Sequence, residues 1–160
     1  MKDRNATIEE ARYLKSIYKT EDAIELLSGL ISPGQIDEEV QNELADCYIQ
    51  AGDLDTAAST YSTLLMIKPE SILYRIKLML TTYRSKDYKS SSELGLSIIK
   101  RDTIPAIVSL TADSFNMMAM PDSALIYYNM YIGMNPANPS VVSKAAKIHL
   151  EREEYVKVLD

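Results

Sequence analysis

Few side chains in this sequence have the type and spacing for chemistry. Cys47 is the only thiol and His149 the only imidazole. Zinc sites gather about four Cys, His or carboxylate ligands at short paired spacings, and one Cys far from one His cannot build one. His149 with Glu153 makes an i, i+4 pair, which reads as a helix-surface or inter-repeat contact. Cys47 stands beside Tyr48 in an apolar periodic segment and reads as a buried, inert thiol rather than a nucleophile. Carboxylates pair at Glu9–Glu10, Glu38–Glu39 and Glu153–Glu154. These pairs fall at expected helix starts or turns, where the positive end of the helix dipole favours them, and none neighbours a candidate nucleophile. The five glycines are scattered and form no phosphate-cradling loop. The expectation is therefore a chain with no catalytic residue, no metal ligand and no cofactor.

Composition narrows the partner class. With 160 residues, 46% hydrophobic and 25% charged, the chain can bury a core of its own as one domain. A net charge of −6, with no basic run, argues against nucleic acid and anionic membranes as partners, because both are recognised by clustered Lys and Arg. The most apolar windows, ILYRIKLML and ALIYYNMYIGM, are interrupted by Arg75 and Lys77 and by Asn129 and Gly133. Neither approaches the roughly 18 apolar residues of a membrane-spanning helix, so no direct membrane insertion is expected. The opening MKDRNATIEE is polar and has no signal-peptide core. Compartment stays open between cytoplasm and periplasm.

The elements that position these residues recur. Small or compact residues open a series of second helices at Ala23, Ala57, Ser91 and Ala124, with gaps of 34, 34 and 33. The matching first-helix series is Ala11, Ala45, Met79, Ala112 and Ala146, with gaps of 34, 34, 33 and 34. Large residues follow at Leu27, Tyr61 and Tyr128, with Gly95 breaking the set, and then at Leu30, Leu64, Ile98 and Tyr131. Small residues at a helix crossing permit close approach, and the large ones fill the space beside it. Gly52 suits the left-handed residue that ends a helix, and Asp53 suits the cap of the next. Pro121 suits a first helical turn, whereas Pro69 and Pro136 cannot continue the helices before them.

The run Leu44, Ala45, Tyr48, Gly52, Ala57, Tyr61, Leu64, Pro69 resembles the tetratricopeptide repeat, a helix–turn–helix unit of about 34 residues. The segment 104–137 matches it at Ala112, Phe115, Ala124, Tyr128 and Pro136, with Thr111 in place of leucine. The resemblance implies an all-α fold, a right-handed α-solenoid of antiparallel helix pairs. Its units would span about 6–35, 37–70, 71–103, 104–137 and 139–160, the last incomplete. In that last unit a first helix is expected over 141–151, a turn near Glu153 and a short second helix from Glu154. Such a chain would be a piece of a longer one, and its open C-terminal end would allow self-association.

The resemblance also implies a groove lined by first helices that takes a protein or peptide partner. By register its residues are Arg12, Lys15, Asn42, Asp46, Ile49, Ile76, Leu80, Tyr83, Arg84, Asp113, Asn116 and Met117, with Ser143 and Lys147 last. Tyr83 lies on this inward face, and Met117, Met118 and Met120 cluster near a turn. The family's chaperone-tail clamp needs Lys, Asn and Arg at set places. Here those places read Ile8, Arg12, Glu43, Leu73 and Lys77, or Asn42, Asp46, Lys77, Ala106 and Leu110, so that ligand is not expected. The function implied is a non-catalytic scaffold. The alternatives are an accessory repeat domain fused to a catalytic, sensory or regulatory module, and a structural self-assembly element.

Overall fold

The computed structural model describes residues 3–159, with side chains described through Arg152. Among the described residues nine helices and no strands occur: α1 Arg4–Ser16, α2 Thr20–Ser28, α3 Glu38–Ala51, α4 Leu54–Ile67, α5 Ile72–Arg84, α6 Tyr88–Ile99, α7 Pro105–Met117, α8 Pro121–Met134 and α9 Pro139–Leu159. The chain divides into two compact units, Met1–Ser85 and Lys86–Asp160. The first holds α1 to α5 and the second α6 to α9.

Local chemistry sets the helix boundaries. Asp37, Asp53, Ser71 and Asp87 each accept a hydrogen bond from the backbone N–H three residues on, satisfying a donor that the first helical turn leaves open. Pro105, Pro121 and Pro139 open α7, α8 and α9, where a missing N–H costs nothing. Helices α4 and α8 stop two residues before Pro69 and Pro136.

The turns inside the repeats share one backbone solution. Tyr18, Gly52, Lys86 and Ala119 all have positive φ, at 61°, 85°, 67° and 55°, and they recur at the repeat spacing. Only Gly52 is glycine, although the left-handed region costs other L-residues roughly 1–2 kcal/mol. Glycine loses roughly 0.5–1 kcal/mol more backbone entropy on folding. Ala119→Gly is therefore expected to stabilise the protein by a few tenths to about 1 kcal/mol. Urea unfolding checks this, and a lower midpoint for Ala119→Gly would contradict the strain argument.

In the first unit Ile8 and Ala11 of α1, Ala23 and Leu27 of α2, and Val40, Leu44 and Cys47 of α3 form one buried cluster. Ala45, Ala57, Tyr61 and Leu64 are buried beside it, as the close-approach reading of Ala45 and Ala57 requires. In the second unit the cluster comprises Ala112, Ala124, Leu125, Tyr128, Val141, Ala145 and Ile148, and the rings of Phe115 and Tyr127 stack with centroids 5.5 Å apart.

One expectation is corrected. Helix α9 has no turn near Glu153 and runs unbroken to Leu159. The segment Glu151-Arg152-Glu153-Glu154 contains strong helix formers and no glycine or proline to stop it. The consequence shows at Ala146. Its counterparts Ala11, Ala45, Met79 and Ala112 are buried, whereas Ala146 is exposed. In the other units a separate second helix follows the first, whereas α9 continues straight past this point.

Candidate functional site

The charged first-helix residues enter a recurring set of ion pairs. Arg12 Nε donates to Glu43 Oε1 at 2.8 Å, Lys77 Nζ to Asp46 at 2.9 Å, and Lys144 Nζ to Asp113 at 2.7 Å. Each pair joins residues 31 apart, so each ties one first helix to the next. Tyr61 donates its hydroxyl to Asp46, and Tyr128 donates to Asp113 at 2.6 Å, so the Tyr–Asp–Lys arrangement recurs two repeats apart. Lys77 Nζ also lies 5.5 Å from the Tyr61 ring centroid and donates to Asn42. The Arg12–Glu43 pair occupies the same places with the charges exchanged. In the remaining repeat those places hold Leu80 and Leu110, two apolar residues.

Glu43 is the most buried carboxylate of the set. Lys15 donates to it at 2.7 Å as well as Arg12. Burial pushes its carboxyl up, but the hydrogen bonds and charges of Lys15 and Arg12 outweigh that and hold it below its ordinary value. Burial and the carboxylate of Asp46 push the Tyr61 hydroxyl far above its ordinary range. Burial also raises the Cys47 thiol, which is fully enclosed, so it stays protonated and unreactive at neutral pH. Glu38 and Glu39 do more than sit at a helix start. Glu38 pairs with Lys68 and accepts from Tyr74, whose hydroxyl is pushed up to about 12 by burial and by that bond, and Glu39 pairs with Arg4 and Arg12.

Five of the expected groove residues line one open cleft of about 540 Å³ in the first unit: Arg12, Lys15, Asp46, Ile49 and Arg84. Lys15 and Arg84 come from the last turns of α1 and α5, where the helix dipole favours a cation. Sequence reasoning missed Ser16, Tyr18 and Gln50 on the same cleft. Gln50 accepts from Thr20 and donates to the Lys15 carbonyl, which fixes one wall. Tyr18 stands where the next repeat has Gly52, and an aromatic at a glycine place was a signal open to the register. Asn42 and Ile76 are half-buried, and Tyr83 is half-buried on α5. Leu80 is 46% exposed, and Leu73, two turns earlier on the same stripe, is 58% exposed.

In the second unit Asp113 is held by Tyr128 and Lys144, and Asn116 and Met117 are exposed at the end of α7. Met120 is exposed just beyond and Met118 half-buried. Ser143 and Lys147 are exposed on α9. The pair of His149 with Glu153 lies outside the described side chains. Among the described residues no group of three or more His, Cys, Asp or Glu is placed to hold a metal ion, and no helix is long and apolar enough to cross a membrane.

Helical hairpins recurring at 33 or 34 residues, with small residues at the crossings and first helices laced by ion pairs, define a helical-repeat scaffold. Residues 18–79 match the family model for the tetratricopeptide repeat. Solved structures show the same fold. MamA from Desulfovibrio magneticus RS-1 superposes with a TM-score of 0.82 at 10% identity, covering 96% of this chain and 87% of that one. MamA of AMB-1 gives 0.80 at 15%, covering 96% and 85%. A thermophilic TPR protein from Thermus thermophilus gives 0.62 at 17%, covering 93% and 82%. No curated relative matches the sequence.

Proposed function

We propose that this chain is a non-catalytic interaction scaffold that holds a peptide or protein segment along the faces of its first helices, with α5 supplying the apolar anchors. The observation that carries the reading is the contrast between α3 and α5 at two equivalent places. On α3 Glu39, Glu43 and Asp46 are all spent on ion pairs with neighbouring first helices. On α5 the counterparts of Glu39 and Asp46 are Leu73 and Leu80, which lie in solvent on either side of the paired Lys77. Exposed apolar residues one heptad apart suit the anchors of an extended or helical peptide. The buried thiol and the mutually neutralised carboxylates leave no nucleophile–base pair in the cleft, which supports a binding role over a catalytic one.

Peptide-display selection against the parent, followed by titration of the enriched peptides, tests this. Leu73→Ala with Leu80→Ala is expected to weaken the selected peptides by tenfold or more, about 1.4 kcal/mol, with an unchanged unfolding midpoint. Undiminished binding by the folded double variant would place the interface elsewhere.

A further inference from the structure

The polar contacts around the cleft leave cationic donors in surplus. Glu43 is satisfied by Arg12 and Lys15, and Asp46 by Lys77 and Tyr61, so neither carboxylate is open to a new cation. The charge of Arg12 is compensated by Glu9, Glu39 and Glu43. Arg84, exposed on the cleft, makes no hydrogen bond or ion pair among the described residues. Lys15 uses one carboxylate and retains donor capacity. Ile49 offers an apolar wall between them, and Tyr18, 81% exposed, stands at the cleft with φ of 61° where glycine serves in the next repeat. Left-handed turns also occur at Lys86 and Ala119, so strain alone does not single out Tyr18; its ring on the cleft does.

Resting on the peptide-binding reading above, we infer that this cleft takes an acidic peptide segment, with a glutamate or aspartate carboxylate on the Arg84 guanidinium and an adjoining apolar side chain against Ile49 and Tyr18. Guanidinium binds carboxylate through paired parallel hydrogen bonds, and the planar fork of Arg84 is free to make them. A polyanion fits less well. The chain carries a net charge of −6, and a single open guanidinium with an apolar wall suits one carboxylate flanked by hydrocarbon rather than a run of phosphates.

The test uses capped, fluorescein-labelled hexapeptides of alternating glutamate and leucine, with glutamine–leucine and lysine–leucine counterparts, titrated by anisotropy against the full chain. The glutamate peptide is expected to bind roughly tenfold tighter than the glutamine peptide and to weaken with salt. Arg84→Gln, at an exposed site, should remove that preference without moving the unfolding midpoint, and Tyr18→Ala should weaken both peptides. Equal affinity for glutamate and glutamine peptides, or a preference that survives Arg84→Gln, overturns the assignment. If the two peptides bind equally and both are lost in the Leu73→Ala, Leu80→Ala variant, the acid preference fails while the peptide-binding reading stands. If no peptide binds the parent, both fall.

Discussion

Ala112→Leu is expected to destabilise the protein by about 1–3 kcal/mol, whereas Ala146→Leu, at the same place one repeat later, should change stability by no more than about 0.5 kcal/mol. Ala112 is fully enclosed in the cluster that also holds Ala124 and Tyr128. A leucine there adds three carbons at a helix crossing whose distance is set by alanine, so side chains leave their rotamers or α7 and α8 separate. Ala146 has the same residue type and the same register, but it lies exposed on α9. Leucine is also as good a helix former as most residues, so nothing local opposes it. Urea melts at equal protein concentration compare the two variants. Equal losses would mean that Ala146 is covered and that α9 does not run on as described; a silent Ala112→Leu would mean that the crossing is looser than its burial implies.

This pair marks where sequence legibility stops. The hairpins were legible because local and periodic signals coincide. Gly52 and Asp53 end one helix and start the next, Ala45 and Ala57 sit at the crossing, and Tyr61 and Leu64 follow at helical spacing. Repeat register then carried the reading to segments with weaker residues, such as α5 and α6. Register could not show that α9 continues, because a repeat predicts a turn near Glu153 from its predecessors while the residues there favour helix.

The candidate site was legible in part for a related reason. Register assigned Arg12, Lys15, Asp46, Ile49 and Arg84 to one face, and they line one cleft. It did not reveal which charges are already spent. Arg12 and Asp46 occupy equivalent places with opposite charge, and each finds its complement 31 residues on, at Glu43 and Lys77. A single-residue profile records only that both are polar. The pairing is a property of two positions together, so it appears when neighbouring first helices are laid side by side. After that accounting Arg84 stays open among the cleft's cations, Leu80 and Met117 are exposed among the register's apolar residues, and Leu73 is exposed outside the register's twelve.

The second large effect concerns Glu43. Replacing both of its partners, Arg12→Met with Lys15→Met, is expected to cost about 2–3 kcal/mol at neutral pH. Removing the partners of a fully buried charge costs about 3–5 kcal/mol, and the residual solvent contact at this site reduces that figure. The methionines keep most of the apolar stems, so the loss reports the charge rather than packing. The pH dependence fixes the mechanism. In the parent, Glu43 has a folded pKa below its unfolded value of about 4.3. Its contribution is therefore fully present above that value and is lost as pH falls through the lower folded pKa. In the variant only burial acts, so the folded pKa rises above the unfolded one and the penalty grows as pH rises between them. The stability gap between parent and variant should shrink as pH falls through the parent's lowered folded pKa and widen as pH rises past the unfolded value. Adding Glu43→Gln to the variant removes the uncompensated charge and should recover most of the loss at neutral pH while changing little at pH values where Glu43 is protonated. A gap that is constant with pH, or a triple variant no more stable than the double, would show that Arg12 and Lys15 act through packing and that the inter-repeat charge pair contributes nothing of its own.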